Sequence, residues 1–195
     1  MKSFETLPEG YHEIYAVDLQ KEKKLVFLIN FISSAIAIIM FAIPWIFVSN
    51  PFEMHPLVWL SILALTVIYM ILHELVHGIA MKTTGTKKVK YGFTGPYAFA
   101  GSKDYYDKKT YITIALAPVV VFGLILAIIQ IFTPINYFWI PWFVQIANIS
   151  GAAGDVYVTW KFSKMPKDIL ITDYGVGMVV YSKDNSLHKA HDINS

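Results

Sequence analysis

The chain has no cysteine among its 195 residues. That excludes a disulfide framework, a thiolate metal ligand and a cysteine nucleophile. It has no arginine either, all sixteen of its cationic side chains being lysine. Nucleic-acid readers use guanidinium groups for bidentate base and phosphate contacts, so the composition argues against a nucleic-acid partner. Charge of both signs is scarce, at 15% of residues, against about a quarter in soluble domains. The first 24 residues lack a signal-peptide pattern. They carry nine charged side chains, from Lys2 to Lys24, before any apolar run begins, and the run that follows is too long for a signal-peptide core.

What the chain has instead is apolar length. Residues 25–48 contain no charged side chain. As a helix rising ~1.5 Å per residue they span ~36 Å, enough to cross a bilayer with some tilt. Three more runs follow at 57–81, 111–132 and 137–160. Trp45, Tyr137, Trp139, Trp142, Tyr157 and Trp160 stand near run ends, where interfacial aromatics anchor a membrane helix. Pro118 predicts a kink early in the third run. These features predict an all-α membrane protein. It has an arm at 1–24, a four-helix transmembrane domain at 25–160 and a tail at 161–195. Residues 11–19 read equally as a short strand or an interfacial segment, within an arm otherwise solvated.

Between the second and third runs, Val89, Tyr91 and Phe93 alternate with other residues. Tyr97 and Phe99 alternate again after Gly95-Pro96, which predicts a β-hairpin. Residues 169–172 and 178–181 flank Asp173-Tyr174-Gly175-Val176-Gly177, predicting a small β element in the tail. The last dozen residues read as disordered. Lysine sets the expected topology. Four lie in the arm, seven in 82–109 and five in the tail, with none in 49–56 or 133–136. Both termini and the middle loop are therefore expected in the cytoplasm.

Within the apolar runs the acids and histidines are few: His73, Glu74, His77 and Asp155. Ionisable groups at membrane depth are costly and by default functional. His73-Glu74-Leu75-Val76-His77 reads HExxH, which puts two imidazoles four residues apart on one helix face, able to grip Zn²⁺. Glu74 can reach a water on that metal as a general base. Counting from the run starts, His73 lies at a depth of ~24 Å, Asp155 at ~27 Å and His77 at ~30 Å. Asp155 is then a candidate third ligand, the alternative being a pair with a tail lysine at the interface. Gly151 and Gly154 permit close helix approach beside it. Asn148, two turns before Asp155, either donates to a developing oxyanion or substrate, or makes an interhelical hydrogen bond. Tyr91 and Tyr97 read as membrane-surface aromatics before they read as site residues.

His73-Glu74-Leu75-Val76-His77-Gly78, with Asn148-Ile149-Ser150-Gly151-Ala152-Ala153-Gly154-Asp155 in a later run, resembles the site-2-protease type of intramembrane zinc metalloprotease. The outline of arm, runs and hairpin, with Ala115-Leu116-Ala117-Pro118, is also similar to a bacterial family described as putative zincin peptidases. The resemblance implies zinc on His73, His77 and Asp155, with Glu74 as the catalytic acid and base. It implies a membrane-protein or peptide substrate and a place in the bacterial plasma membrane. The site-2 pattern has Pro where Gly151 stands and Gly where Val156 follows the acid. Two rival readings are a non-catalytic zinc-binding membrane protein and a peptidase for soluble cytoplasmic peptides.

Overall fold

The computed structural model describes residues 3–18, 21–48, 55–94 and 98–183. The expected hairpin turn at Gly95-Pro96, Tyr97 and the expected disorder of the last dozen residues lie outside them, as does most of the loop at 49–56.

Two of the long apolar runs start at a side-chain cap, the second at His55 and the third at Asp107. Helix α1 (Lys23–Ala42) follows the first charged cluster and tightens into a 3-10 turn at Ile43–Ile46, with Pro44 near its start. Helix α2 (Pro56–Thr83) opens on a proline, which loses nothing at the first helical position. His55 before it accepts the Leu57 N–H. Helix α3 (Lys108–Phe132) is capped by Asp107, which accepts from both the Thr110 N–H and its hydroxyl at 2.9 Å. With the turn that extends α1, these three are long and apolar enough to cross a membrane.

The fourth run does not form one helix. It divides into α4 (Trp139–Gly151) and α5 (Ala153–Ser163) at Ala152, whose ψ of 7° leaves the helical range. Gly151-Ala152-Ala153-Gly154 brings two of the poorest helix formers short of proline to one turn. A methyl group at either glycine would meet open space, so these glycines do not mark the close helix contact expected of them. Trp139, expected at the membrane interface, is only 2% exposed and packs near Phe41, Phe138 and Phe143.

The second departure is a sheet. Strands β1 (Ser3–Phe4), β2 (His12–Asp18), β5 (Tyr105–Asp107), β6 (Leu170–Asp173) and β7 (Gly177–Ser182) form one antiparallel sheet in the order β1-β5-β6-β7-β2. The arm, the middle loop and the tail thus meet in one layer. Residues 12–18 are a strand because β7 supplies their ladder, Ala16 opposite Val179 and Val17 opposite Met178. The chain is therefore a mixed α/β protein, not the all-α four-helix membrane bundle its apolar runs predict. The middle hairpin is present separately as β3 (Lys90–Phe93) and β4 (Ala98–Gly101), with Tyr91 opposite Ala100.

The main core lies between this sheet and the helix ends nearest it. Tyr106, Phe162, Ile169, Ile171 and Val180 are fully buried there, with Met81 of α2 and Tyr111, Ile114 and Ala115 of α3. Burying each large apolar side chain contributes roughly 1.5–3 kcal/mol. The core fixes the last turns of α2, the first turns of α3 and the whole of α5 against one another. The chemistry collects at that junction.

Candidate metal centre

His73 and His77 project from one face of α2, their ring centroids 4.9 Å apart and each residue 9% exposed. Asp155 comes from the first turn of α5. The break at Ala152 is what puts it there, and a helix N-terminus favours a carboxylate in its first turn. Asp155 Oδ2 stands 3.4 Å from His73 Nε2, and Oδ1 stands 3.6 Å from His77 Nε2. One ligand atom from each residue can be chosen so that all lie within 4.8 Å of one another.

The outer ring nitrogens decide what this cluster can hold. His77 Nδ1 is 3.0 Å from the Ile114 carbonyl. A carbonyl only accepts, so Nδ1 carries the proton, and the neutral ring presents a lone pair at Nε2. His73 Nδ1 is 2.7 Å from the Tyr69 hydroxyl, and that hydroxyl donates to Asn148 Oδ1 at 3.0 Å. With the Tyr69 O–H aimed at Asn148, the hydroxyl oxygen accepts from His73 Nδ1–H and His73 Nε2 is bare. Two imidazole lone pairs and a carboxylate then face one point, an arrangement that calls for a cation. Zinc bonds of about 2.0–2.1 Å in a tetrahedron set ligand atoms about 3.3–3.4 Å apart, close to the spacing between Asp155 and the histidines. The donor set fits zinc with one position left open.

Glu74 is half-buried beside this point, and its carboxylate accepts a hydrogen bond from the Ala100 backbone on β4. Glu74, His77 and Asp155 open onto a cavity of about 340 Å³, whose wall includes Phe99, Tyr111 and Asp173. The hairpin is seated there by close approach. Tyr91 lies against Gly78, where any side chain would collide with its hydroxyl, and Phe99 lies against Gly175 in the same way. The glycine after His77 thus makes room for the hairpin.

Asn148 is fully buried. Its amide donates to the Val119 carbonyl at 3.2 Å and lies 3.4 Å from Gln145 Oε1, while its carbonyl oxygen accepts from the Tyr69 hydroxyl. The side chain is committed to holding Tyr69, and through it His73. Sequence reasoning missed Tyr69, although a tyrosine four residues before His73 shares its helix face. It also missed Asp173, on the cavity wall. That carboxylate accepts from the Tyr111 hydroxyl at 2.6 Å and from the Gly175 N–H at 2.8 Å. Burial raises its pKa above the ordinary value, against the pull of those two donors.

The family described as putative zincin peptidase matches residues 66–170. The chain belongs to this family. No curated protein and no solved structure matches it. Membership in a zincin peptidase family implies zinc and points to a metallopeptidase. The stretch matched contains His73, Glu74, His77, Asn148 and Asp155, whereas β1, β2, β7 and Asp173 lie outside it.

Proposed function

We propose that the chain is a membrane-embedded zinc endopeptidase of the site-2 type, cutting membrane proteins or peptides within or next to the bilayer. The observation that carries this reading is the convergence of His73, His77 and Asp155 on one point beside Glu74, in a cavity at the end of long apolar helices. His73, His77 and Asp155 hold the metal. A bound zinc ion polarises the scissile carbonyl and acidifies water. Glu74 takes the proton of the attacking water and passes it to the leaving amine. Ala100, donating to Glu74, keeps the carboxylate turned to the cavity.

A substrate helix must unwind before its carbonyls can be attacked. The hairpin, with Phe99 and Ala100 on the cavity wall, offers backbone that can hold an extended strand. Leu25, Ile29 and Asn30 of α1 also line the cavity, which favours a substrate arriving from the bilayer over a soluble peptide. We place the lysine-rich sheet end in the cytoplasm of a bacterial plasma membrane, on the positive-inside rule. The chain returns to that end after α5, so both termini lie on the same side.

The test is Glu74→Gln. Zinc retained with proteolysis lost supports the enzyme. Zinc bound with an unchanged pattern of membrane-protein fragments indicates a non-catalytic zinc protein. Lost cleavage of soluble peptides alone indicates the cytoplasmic peptidase. A Pro insertion across 89–93 that leaves cleavage intact removes the hairpin from the mechanism.

A further inference from the structure

Pro118 lies inside α3 and is fully buried. An α-helix closes by donating each N–H to the carbonyl four residues back. Position 118 is the donor for Ile114, and proline has no N–H to give. The Ile114 carbonyl is therefore left without its helical partner, in a residue only 2% exposed. The hydrogen bond that reaches it instead comes from His77 Nδ1, at 3.0 Å.

We infer that Pro118 is a positioning residue of the metal centre: by withholding an N–H, it keeps the Ile114 carbonyl free to orient His77 and fix its tautomer. This rests on the zinc reading above. A carbonyl already bonded along its helix is a poorer and more crowded acceptor, and His77 would lose the partner that holds its proton on Nδ1. Its Nε2 would then carry the proton for part of the time, facing Asp155 Oδ1 at 3.6 Å, where the metal needs a lone pair. His73 is held differently, by the side chains of Tyr69 and Asn148. The two ligands thus have separate supports, one of side chains and one of backbone. The proline supplies the second from a helix that contributes no ligand.

The experiment compares zinc affinity, by chelator competition, in three full-length chains in lipid nanodiscs. They are the wild type, Pro118→Ala, and a chain with lactic acid at 118, which has alanine's side chain but an ester in place of the N–H. Pro118→Ala should bind zinc about 10–100-fold more weakly. The ester chain should recover most of that loss, and its Co²⁺ spectrum should regain the wild-type tetrahedral bands. Pro118→Ala binding like wild type overturns the inference, and so does an ester chain as weak as Pro118→Ala. A wild type that binds no zinc overturns the zinc reading with it. Should Pro118→Ala not fold, ¹⁵N NMR of His77 in the metal-free wild type decides. A proton on Nδ1 is expected, and a proton on Nε2 alone contradicts it.

Discussion

At the sheet end of the molecule Tyr106, Phe162, Ile169, Ile171 and Val180 are sealed at 0% exposure. In and just after the turn that extends α1, and at the far end of α3, Ile46, Phe47, Ile131 and Phe132 stand 76–80% exposed. The residue types are alike, and what covers them is not. The first set is covered by strands and helix ends. Among the described residues nothing covers the second, and α1 has no fully buried residue. Helices this apolar and this bare are stable where lipid does the covering. The cluster of His73, His77 and Asp155 sits at the boundary between these regimes. There the helices still share a protein interior, and the sheet lets polar groups find partners.

That contrast predicts unequal costs for similar substitutions. Phe162→Ala, at the sealed end, should lower stability by about 3–5 kcal/mol through the cavity it leaves, read from thermal or denaturant unfolding in detergent. Next, Tyr69→Phe strands the buried Asn148 Oδ1 and His73 Nδ1, so it should lower stability by about 1–3 kcal/mol and weaken zinc binding about 10–100-fold. Unchanged affinity would detach the Tyr69 and Asn148 relay from the site. Phe132→Ala, at the bare end, should shift stability by no more than about 0.5 kcal/mol. A loss as large as that of Phe162→Ala would break the comparison and place a protein partner on that face.

The smallest effect concerns Glu5 and Lys87, 2.6 Å apart at the surface. Lys87 holds the Glu5 carboxyl below its ordinary range. A depressed carboxyl adds stability above its unfolded pKa and loses it as pH falls through the folded one. Both groups are exposed, so that contribution is screened. Lys87→Ala should raise the Glu5 pKa back toward the ordinary glutamate range in an NMR titration and leave the melting temperature at pH 7 unmoved. A clear drop at pH 7 would show the arm to be pinned by this pair.

The long runs, the hairpin at 90–101 and HExxH were legible because their signals are local: charge absence, alternation and a four-residue spacing. Matching depths in two runs also brought Asp155 level with the histidines, although its run is broken at Ala152. Of the five-stranded sheet only the β6–β7 pairing was legible, in residues 169–172 and 178–181. Strand β2 finds its partner in β7, some 160 residues on, and His12 to Asp18 alone alternates too weakly to announce it. The apolar count across 137–160 also hid the helix break, since hydropathy does not register two glycines in one turn. The partners of the histidines were unreadable for a related reason. A backbone carbonyl freed by a proline leaves no side-chain signature at the position where it acts.

The central claim is that His73, His77 and Asp155 hold one zinc ion. X-ray absorption at the zinc edge, on the purified chain in lipid, tests it most directly. The account predicts one zinc per chain, two imidazoles by their multiple scattering, and oxygen ligands at about 2.0–2.2 Å. Asp155→Ala should lose an oxygen ligand or the metal itself. A chain without zinc, a spectrum without imidazole scattering, or one that Asp155→Ala leaves unchanged would contradict it.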